Sequence, residues 1–493
     1  MNAGVPTSRQ PDTGGTILPR VAGVRTRPLK ERAQRAVRPS GPPTHPITVG
    51  VRDDAVDETV ARAVLDLALR VGEAMLSTGA SASDVTATVL RLAAAYGLRS
   101  CHVDVTFTSI TVSYHRGPDD DPMTVLRIVR VRTTDWARLG NLQTLVRDAA
   151  GGMDIAEARD RLDRIVAAPH PYRRWVVTFA LASLAASVAA LLGGDWRVMA
   201  ISAATTALVD RVQRRLGQWG LPAFFSQAVS AAVPTTVAVL LLWLRSALDS
   251  GDDPLQPGLV VASGVVVLLA GLSVVGAAQD AIDGYYVTAG ARTFEVLLLT
   301  LGIVVGIGLV LDVARRAGVP LTISGDAGLS SSLAVQVSAA AAVAGFFAAS
   351  SYARPRTALV AALAGGLGWV VLAGAGLAGL EPAVGSALAA FVVGSLAQVL
   401  SDRVRVPALA VSVAGIVPLL PGLAVYRAMF QLVEPGLGRS DLWLTTLVGA
   451  AGIGLGLAAG VSLGTFAARP LRTELDRWQR RALRRAAGSV DTT

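Results

Sequence analysis

The sequence holds a single cysteine, Cys101, among 493 residues. An internal disulfide is therefore excluded, and nothing in the cysteine count points to an oxidising compartment. Lysine is nearly absent as well: Lys30 stands alone among 45 basic residues, and the rest are arginine. No Walker A loop is found, so the chain does not hydrolyse nucleotides by that route. The first 50 residues carry eight Arg/Lys, two acids and eight prolines, with no apolar h-region, so no signal peptide is expected. Charge is also scarce, 16% against 52% hydrophobic residues. A soluble domain of this size rarely averages that apolar.

What the chain does have is long uncharged runs. They lie at 175–194, 216–244, 254–279, 327–353, 357–380, 382–401, 406–426 and 442–468. A helix needs about 20 apolar residues to cross the hydrocarbon core. Two shorter runs, 198–209 and 296–311, cross only with help from their flanks or from a thinner bilayer. Ten transmembrane helices are expected, the second and fifth being the least secure. None of these runs alternates in polarity, which excludes a β-barrel. The net charge of +9 is carried mostly by the N-terminal arm, short loops and the C-terminal tail. That distribution fits cytoplasmic positive charge better than nucleic-acid binding.

The chain divides accordingly. Residues 1–52 read as a disordered, basic, Pro-rich arm. Residues 53–170 read as a small cytoplasmic α/β domain. Val60, Val64, Leu67 and Val71 have helical spacing, and Ser81 with Asp84 has the spacing of a capping box. HVDVTFTSITVSYH alternates as strands do, and MTVLRIVRVR supplies a third strand. Residues 171–320 and 321–468 form two membrane repeats. PGLVVASGVVVLLAGL at 257–272 resembles PALAVSVAGIVPLLPGL at 407–423, and GIGLVLD at 306–312 resembles GIGLGLA at 452–458. The unit is five helices. An odd number of crossings inverts the second copy, an arrangement typical of secondary transporters. In the tail, 469–493, Leu471, Leu475 and Trp478 share one helical face among arginines, as in a helix lying on an anionic membrane.

The chemistry gathers in GAAQDAIDGYYVTAGARTFEV, residues 276–296. Asp280 and Asp283 are three apart, on one face of a continuing helix. A carboxylate close to low dielectric has a raised proton affinity, and ionisable groups at membrane depth are usually functional. Tyr285, Tyr286 and Thr288 offer hydroxyls, and Arg292 and Glu295 have i,i+3 spacing for a pair. Prolines inside apolar runs mark a second group: Pro234 followed by Thr235, and Pro418 with Pro421 followed by Gly422. Each removes a backbone donor, and a broken helix presents N–H groups that suit a carboxylate. A kink patched by Ser or Thr is the competing reading. Tyr426 is a further hydroxyl, and Gln227 is a polar residue within a span, read as glue between helices or as a ligand. His102 and Asp104 share a strand face beside Cys101, but no third partner has catalytic or metal-ligand spacing. No catalytic residue, metal site or cofactor is expected.

VGEAMLSTGASASDV, VDVTFTSITVSYH, DAIDGYYVTAGARTFEV and VPALAVSVAGIVPLLPGLAVYRAM together resemble the threonine/serine exporter family, over about residues 57–468. The resemblance implies a cytoplasmic N-terminal domain followed by ten spans. It also implies export of threonine and serine driven by the proton motive force. Related proteins divide the two halves between chains and are linked to dicarboxylate export, so succinate is an alternative substrate. The sequence reading is a multi-pass protein of the bacterial inner membrane with both termini cytoplasmic. Its partners are a small amino acid, protons and the lipid bilayer, with homo-oligomerisation left open. Asp280 or Asp283 is expected to carry the substrate's ammonium and the proton. The backbone near Pro234 and Pro418–Gly422 is expected to take its carboxylate. A membrane-anchored hydrolase and a non-transporting sensor or scaffold stand as alternatives from other classes.

Overall fold

Val64, Leu67 and Val71 are fully buried on one face of helix α1 (Glu58–Ser77), while Val60 at its start is exposed. The computed structural model describes residues 57–116, 121–129, 133–247, 256–268, 271–319, 332–404, 406–433 and 442–488, all within one compact unit, Gly41–Thr493. The N-terminal arm lies outside the described residues. Helix α2 (Ala82–Ala95) starts at Ser81, whose hydroxyl accepts from the Asp84 N–H at 3.1 Å. Three strands follow: β1 (Cys101–Val105), β2 (Ser109–Tyr114) and β3 (Met123–Ile128). They pair antiparallel in the order β1-β2-β3, with Val112 opposite both Val103 and Val125. Ile110, Val112 and Tyr114 of β2 are buried beneath α1, as the alternation requires. Helices α3 (Trp136–Ala150) and α4 (Ile155–Ala167) complete this part; each is capped by an aspartate, Asp135 and Asp154.

The remaining described residues form helices joined by turns. In chain order come α5 (Arg174–Leu191), α6 (Trp196–Gln218), α7 (Ala223–Ala247), α8 (Pro257–Leu268), α9 (Gly271–Ile282) and α10 (Tyr286–Arg316). Then follow α11 (Leu333–Ser350), α12 (Pro355–Leu377), α13 (Pro382–Val404), α14 (Ala408–Ile416), α15 (Gly422–Val433) and α16 (Leu442–Gly488). Seven of these, α5, α7, α10, α11, α12, α13 and α16, are long and apolar enough to cross a membrane. Two bent pairs bring the number to as many as nine: α8 with α9, bent by 42°, and α14 with α15, bent by 49°. The chain is therefore a multi-pass membrane protein. The run at 198–209 lies in α6, which carries Arg197, Asp210, Arg211, Arg214 and Arg215 and so does not qualify by composition. The run at 296–311, expected to be short, belongs to a helix of 31 residues. The extra turns hold the polar segment from Tyr286 to Glu295, whose buried side chains, such as Thr288, pack on protein. The last helix continues without interruption through 469–488.

Contacts made within α5–α10 recur within α11–α16. α5 touches α6, and α11 touches α12; α7 packs along α10, and α13 along α16; α8 lies against α5, α6 and α7, and α14 against α11, α12 and α13. The closest packing also recurs. Gly302 and Gly306 of α10 sit on the carbonyls of Phe224 and Ala228 in α7, and Gly456 and Gly460 of α16 sit on those of Ala383 and Ala387 in α13. In lipid, helix pairs gain from packing that only small residues allow. The two sets meet where α5 packs on α11, where α9 packs on α16, and where α15 packs on α8 and α10.

The sheet-bearing part rests on one end of this bundle. Trp136 N–H donates to the Ser351 carbonyl at 3.1 Å, the Tyr172 hydroxyl to the Ala353 carbonyl at 2.9 Å, and Arg354 to Asn141 Oδ1 at 2.8 Å. Its apolar core runs on into Ala348, Ala353, Ala361, Ala410 and Ala414 of the bundle.

Candidate functional site

Helix α9 ends at Ile282, and the chain reverses through Asp283, Gly284 and Tyr285 before α10. Gly284 adopts φ +90°, a conformation costly for any residue with a Cβ. Gly284 and Tyr285 donate backbone bonds to Ala281 and Asp280, closing the end of α9. The turn holds Asp280 inward, fully buried, with Arg292 Nη1 at 3.1 Å from its Oδ2. The Arg292 guanidinium lies against Gly276, one turn earlier on α9, where a Cβ would collide with it. The spacing left Arg292 able to pair with Glu295; the structure pairs it with Asp280 instead, because α10 folds back on α9.

Both carboxylates also meet the sheet-bearing part. Asp280 Oδ1 accepts from the Ala82 N–H at 3.4 Å, and Asp283 Oδ2 accepts from the Ser83 hydroxyl at 2.7 Å. Ala82 and Ser83 open α2, so the pair faces a helix N-terminus, the positive end of its dipole. Thr288 donates to the Val105 carbonyl at 3.1 Å from the end of β1. Tyr285 packs against the core of the same part. Burial pushes its phenol above the ordinary range, and the nearby Asp283 and Asp280 add to that. Tyr286 is 75% exposed and stands outside the cluster. STGASASDV and the polar segment after α9 are therefore two halves of one contact, about 200 residues apart in sequence.

The proline group resolves differently. Helix α7 runs unbroken through Pro234, which corrects the expectation of broken backbone there. Thr235 and Thr236 bond back to the carbonyls of Ala231 and Ala232 at 3.0 and 2.8 Å, and the proline ring fills the space beside Gly264 of α8. The second proline pair does break its helix. α14 stops at Ile416, a 3₁₀ turn spans Val417–Leu419, Leu420 is extended, and α15 restarts at Gly422 after Pro421. Pro418 is buried in that turn.

The bend of 42° between α8 and α9 runs over residues 269–270, outside the described residues, and Gln227 binds just before it. Its Nε2 donates at 2.6 Å to the carbonyl of Leu268 in α8. Gln213 donates in turn to Gln227 Oε1 at 3.4 Å. The second break touches α8: Gly422 sits against Val266, at a distance no side chain would permit. Tyr426, one turn into α15 and 2% exposed, lies in the same apolar cluster as Leu259–Leu268 of α8. Asp280 is nine residues from Gly271, about 14 Å along α9. The acidic cluster and the helix breaks are thus two places joined by one helix, too far apart for a single small amino acid to touch both.

Sequence reasoning missed Asp210. It is 4% exposed and holds Arg174 at 2.9 Å, Arg214 at 2.7 Å and the Thr178 hydroxyl at 2.6 Å. The legible signal was an acid four residues before Arg214 in a charged stretch of a helix otherwise read as a span. His102 lies edge-on to His115, and no group of three metal-ligating side chains occurs among the described residues.

A multi-pass bundle with two bent helix pairs in contact, and a polar cluster where one of them leaves the bundle, is the architecture of a membrane transporter. Residues 66–314 match the family described as "Putative threonine/serine exporter", and residues 334–467 match "Threonine/Serine exporter, ThrE". The chain belongs to the threonine/serine exporter family, a family of transporters and not of enzymes. It is 42% identical over 425 residues to the "Probable threonine/serine exporter" of Mycobacterium tuberculosis, covering 85% of this chain and 78% of that one. It is 35% identical over 429 residues to the "Threonine/serine exporter" of Corynebacterium glutamicum, covering 85% of each. No solved structure matches. The family replaces the membrane-anchored hydrolase and the scaffold among the readings the sequence left open.

Proposed function

We propose that this chain exports threonine and serine from the cytoplasm of a bacterial cell across its inner membrane, with both termini inside. The observation that carries the reading is the contact of the two bent helix pairs, Val266 of α8 on Gly422 of α15. Two relatives named for that activity support the substrate. In this reading α5–α10 and α11–α16 are two five-span repeats of opposite orientation, with α6 as the second span and each bent pair as a fourth. An offset of 151 residues lays Gly264 over Gly415 and Gly271 over Gly422, and the recurring contacts point the same way.

A zwitterion is recognised at the breaks. The N-terminus of α15, beyond the Gly422 N–H that bonds to the Leu420 carbonyl, presents its first turn to the carboxylate. Gln227 and the Leu268 carbonyl it holds, beside the bend between α8 and α9, offer acceptors to the ammonium. Tyr426 borders the same place. The acidic cluster works as the inner gate and the coupling element. Protonation of Asp280 would cancel its attraction to Arg292 and loosen α9 from α10 and from the start of α2. The proton gradient then drives the cycle through that pair.

The test is flux of labelled threonine, serine and succinate from proteoliposomes, with and without an imposed pH gradient. Threonine and serine movement that rises with the gradient is expected. Succinate movement alone would replace the substrate. Threonine flux indifferent to the gradient would remove the proton from the mechanism.

A further inference from the structure

Helices α5 and α6 leave a groove of about 570 Å³ on their outer face, at the end that adjoins the sheet-bearing part. One wall is cationic: Arg211, Arg214 and Arg215 line it from α6. The other is aromatic: Trp175 and Phe179, four apart on α5, are 67% and 61% exposed. Beneath them Asp210 is already engaged by Arg174, Arg214 and Thr178. Two guanidiniums thus already share that carboxylate, while Arg211 and Arg215 are exposed and line the groove. The level along the bundle is set by Tyr172, which bonds to Ala353 two residues before α5 begins.

Exposed tryptophan beside arginine at the end of a membrane helix is the chemistry of the headgroup layer. We propose that this groove binds an anionic phospholipid, its phosphate held by Arg211 and Arg215 and its acyl chain lying along Phe179 and Ala182. A free phosphate would satisfy the arginines but would leave the aromatic wall uncovered. A neutral lipid would cover the wall but would add a cation near four others. Neither the transport path nor the acidic cluster uses these residues, so the site is separate from both.

The test uses the full chain in neutral detergent. Its thermal melting is followed with phosphatidylglycerol, with phosphatidylcholine of the same chains, and with inorganic phosphate. Retained lipid is counted by native mass spectrometry. Phosphatidylglycerol is expected to raise the melting temperature and to remain bound, while the other two do neither. Each arginine at an anionic lipid surface is worth about one unit of binding energy on the kcal/mol scale, so Arg211→Gln with Arg215→Gln should weaken retention roughly thirtyfold. Arg315→Gln with Arg316→Gln, at the far end of α10, should leave it unchanged. Equal retention in the wild type and the Arg211/Arg215 variant would overturn the proposal. So would an equal shift with inorganic phosphate, which would assign the groove to a soluble anion. If the double variant melts early in detergent alone, Arg211→Lys with Arg215→Lys keeps the charge, and its failure to retain the lipid would count against the site.

Discussion

Asp280 is fully buried with Arg292 as its charged neighbour. A buried pair contributes little net stability, but removing one member leaves the other charge uncompensated. Asp280→Asn is therefore expected to lower stability by about 3 kcal/mol, read as melting temperature in detergent. Arg292→Met should do the same, and the double variant should recover much of the loss. Additive losses in that cycle would mean that the two side chains do not depend on each other. Gln227→Leu deletes the donor to the Leu268 carbonyl. About 1–2 kcal/mol of destabilisation is expected, with threonine flux falling by at least tenfold; full flux would deny Gln227 a role at the site. The aspartates, Tyr285 and Arg292 were legible as a cluster because so many polar groups interrupted two apolar runs. Their partners Ala82, Ser83 and Val105 were not, since backbone N–H and carbonyl groups leave no mark in a sequence.

At the scale of elements, α7 with α10 and α13 with α16 depend on glycines that admit a carbonyl from the facing helix. Gly306→Ala and Gly460→Ala should each push the helices apart and lower the melting temperature, whereas Gly452→Ala, with open space beside it, should be neutral or raise it slightly. Equal effects at all three positions would mean that helix propensity, not the close approach, decides. Proline was an incomplete guide to the breaks. Pro234 stays helical because Thr235 and Thr236 bond back along α7 and Gly264 makes room for the ring. Pro418 and Pro421 interrupt because two prolines within one turn remove two donors and Gly422 restarts the ladder. The bend between α8 and α9 has no proline near it; beside it the Leu268 carbonyl accepts from Gln227 of another helix.

For the molecule as a whole, the sheet-bearing part is seated on the bundle through Ser83–Asp283, Val105–Thr288 and Ala353–Tyr172. If the inner gate opens by parting α9 from α2, a disulfide formed between Ser83→Cys and Asp283→Cys should abolish whatever threonine flux the reduced double variant retains, and reduction should restore that flux. Flux that persists in the fully cross-linked protein would show that this contact stays closed throughout the cycle.

The sequence by itself determined the apolar runs, the mixed-charge segment ahead of them and the membership of an exporter family. Each of these is written in local composition or in residues close together along the chain. Tertiary structure alone decided that Arg292 turns to Asp280 and not to Glu295, and that Pro234 is absorbed while Leu420–Pro421 breaks. It also separated the acidic cluster from the helix breaks and buried Asp210 among arginines. Those outcomes depend on which helix lies beside which, and burial and partner distance are properties of that packing.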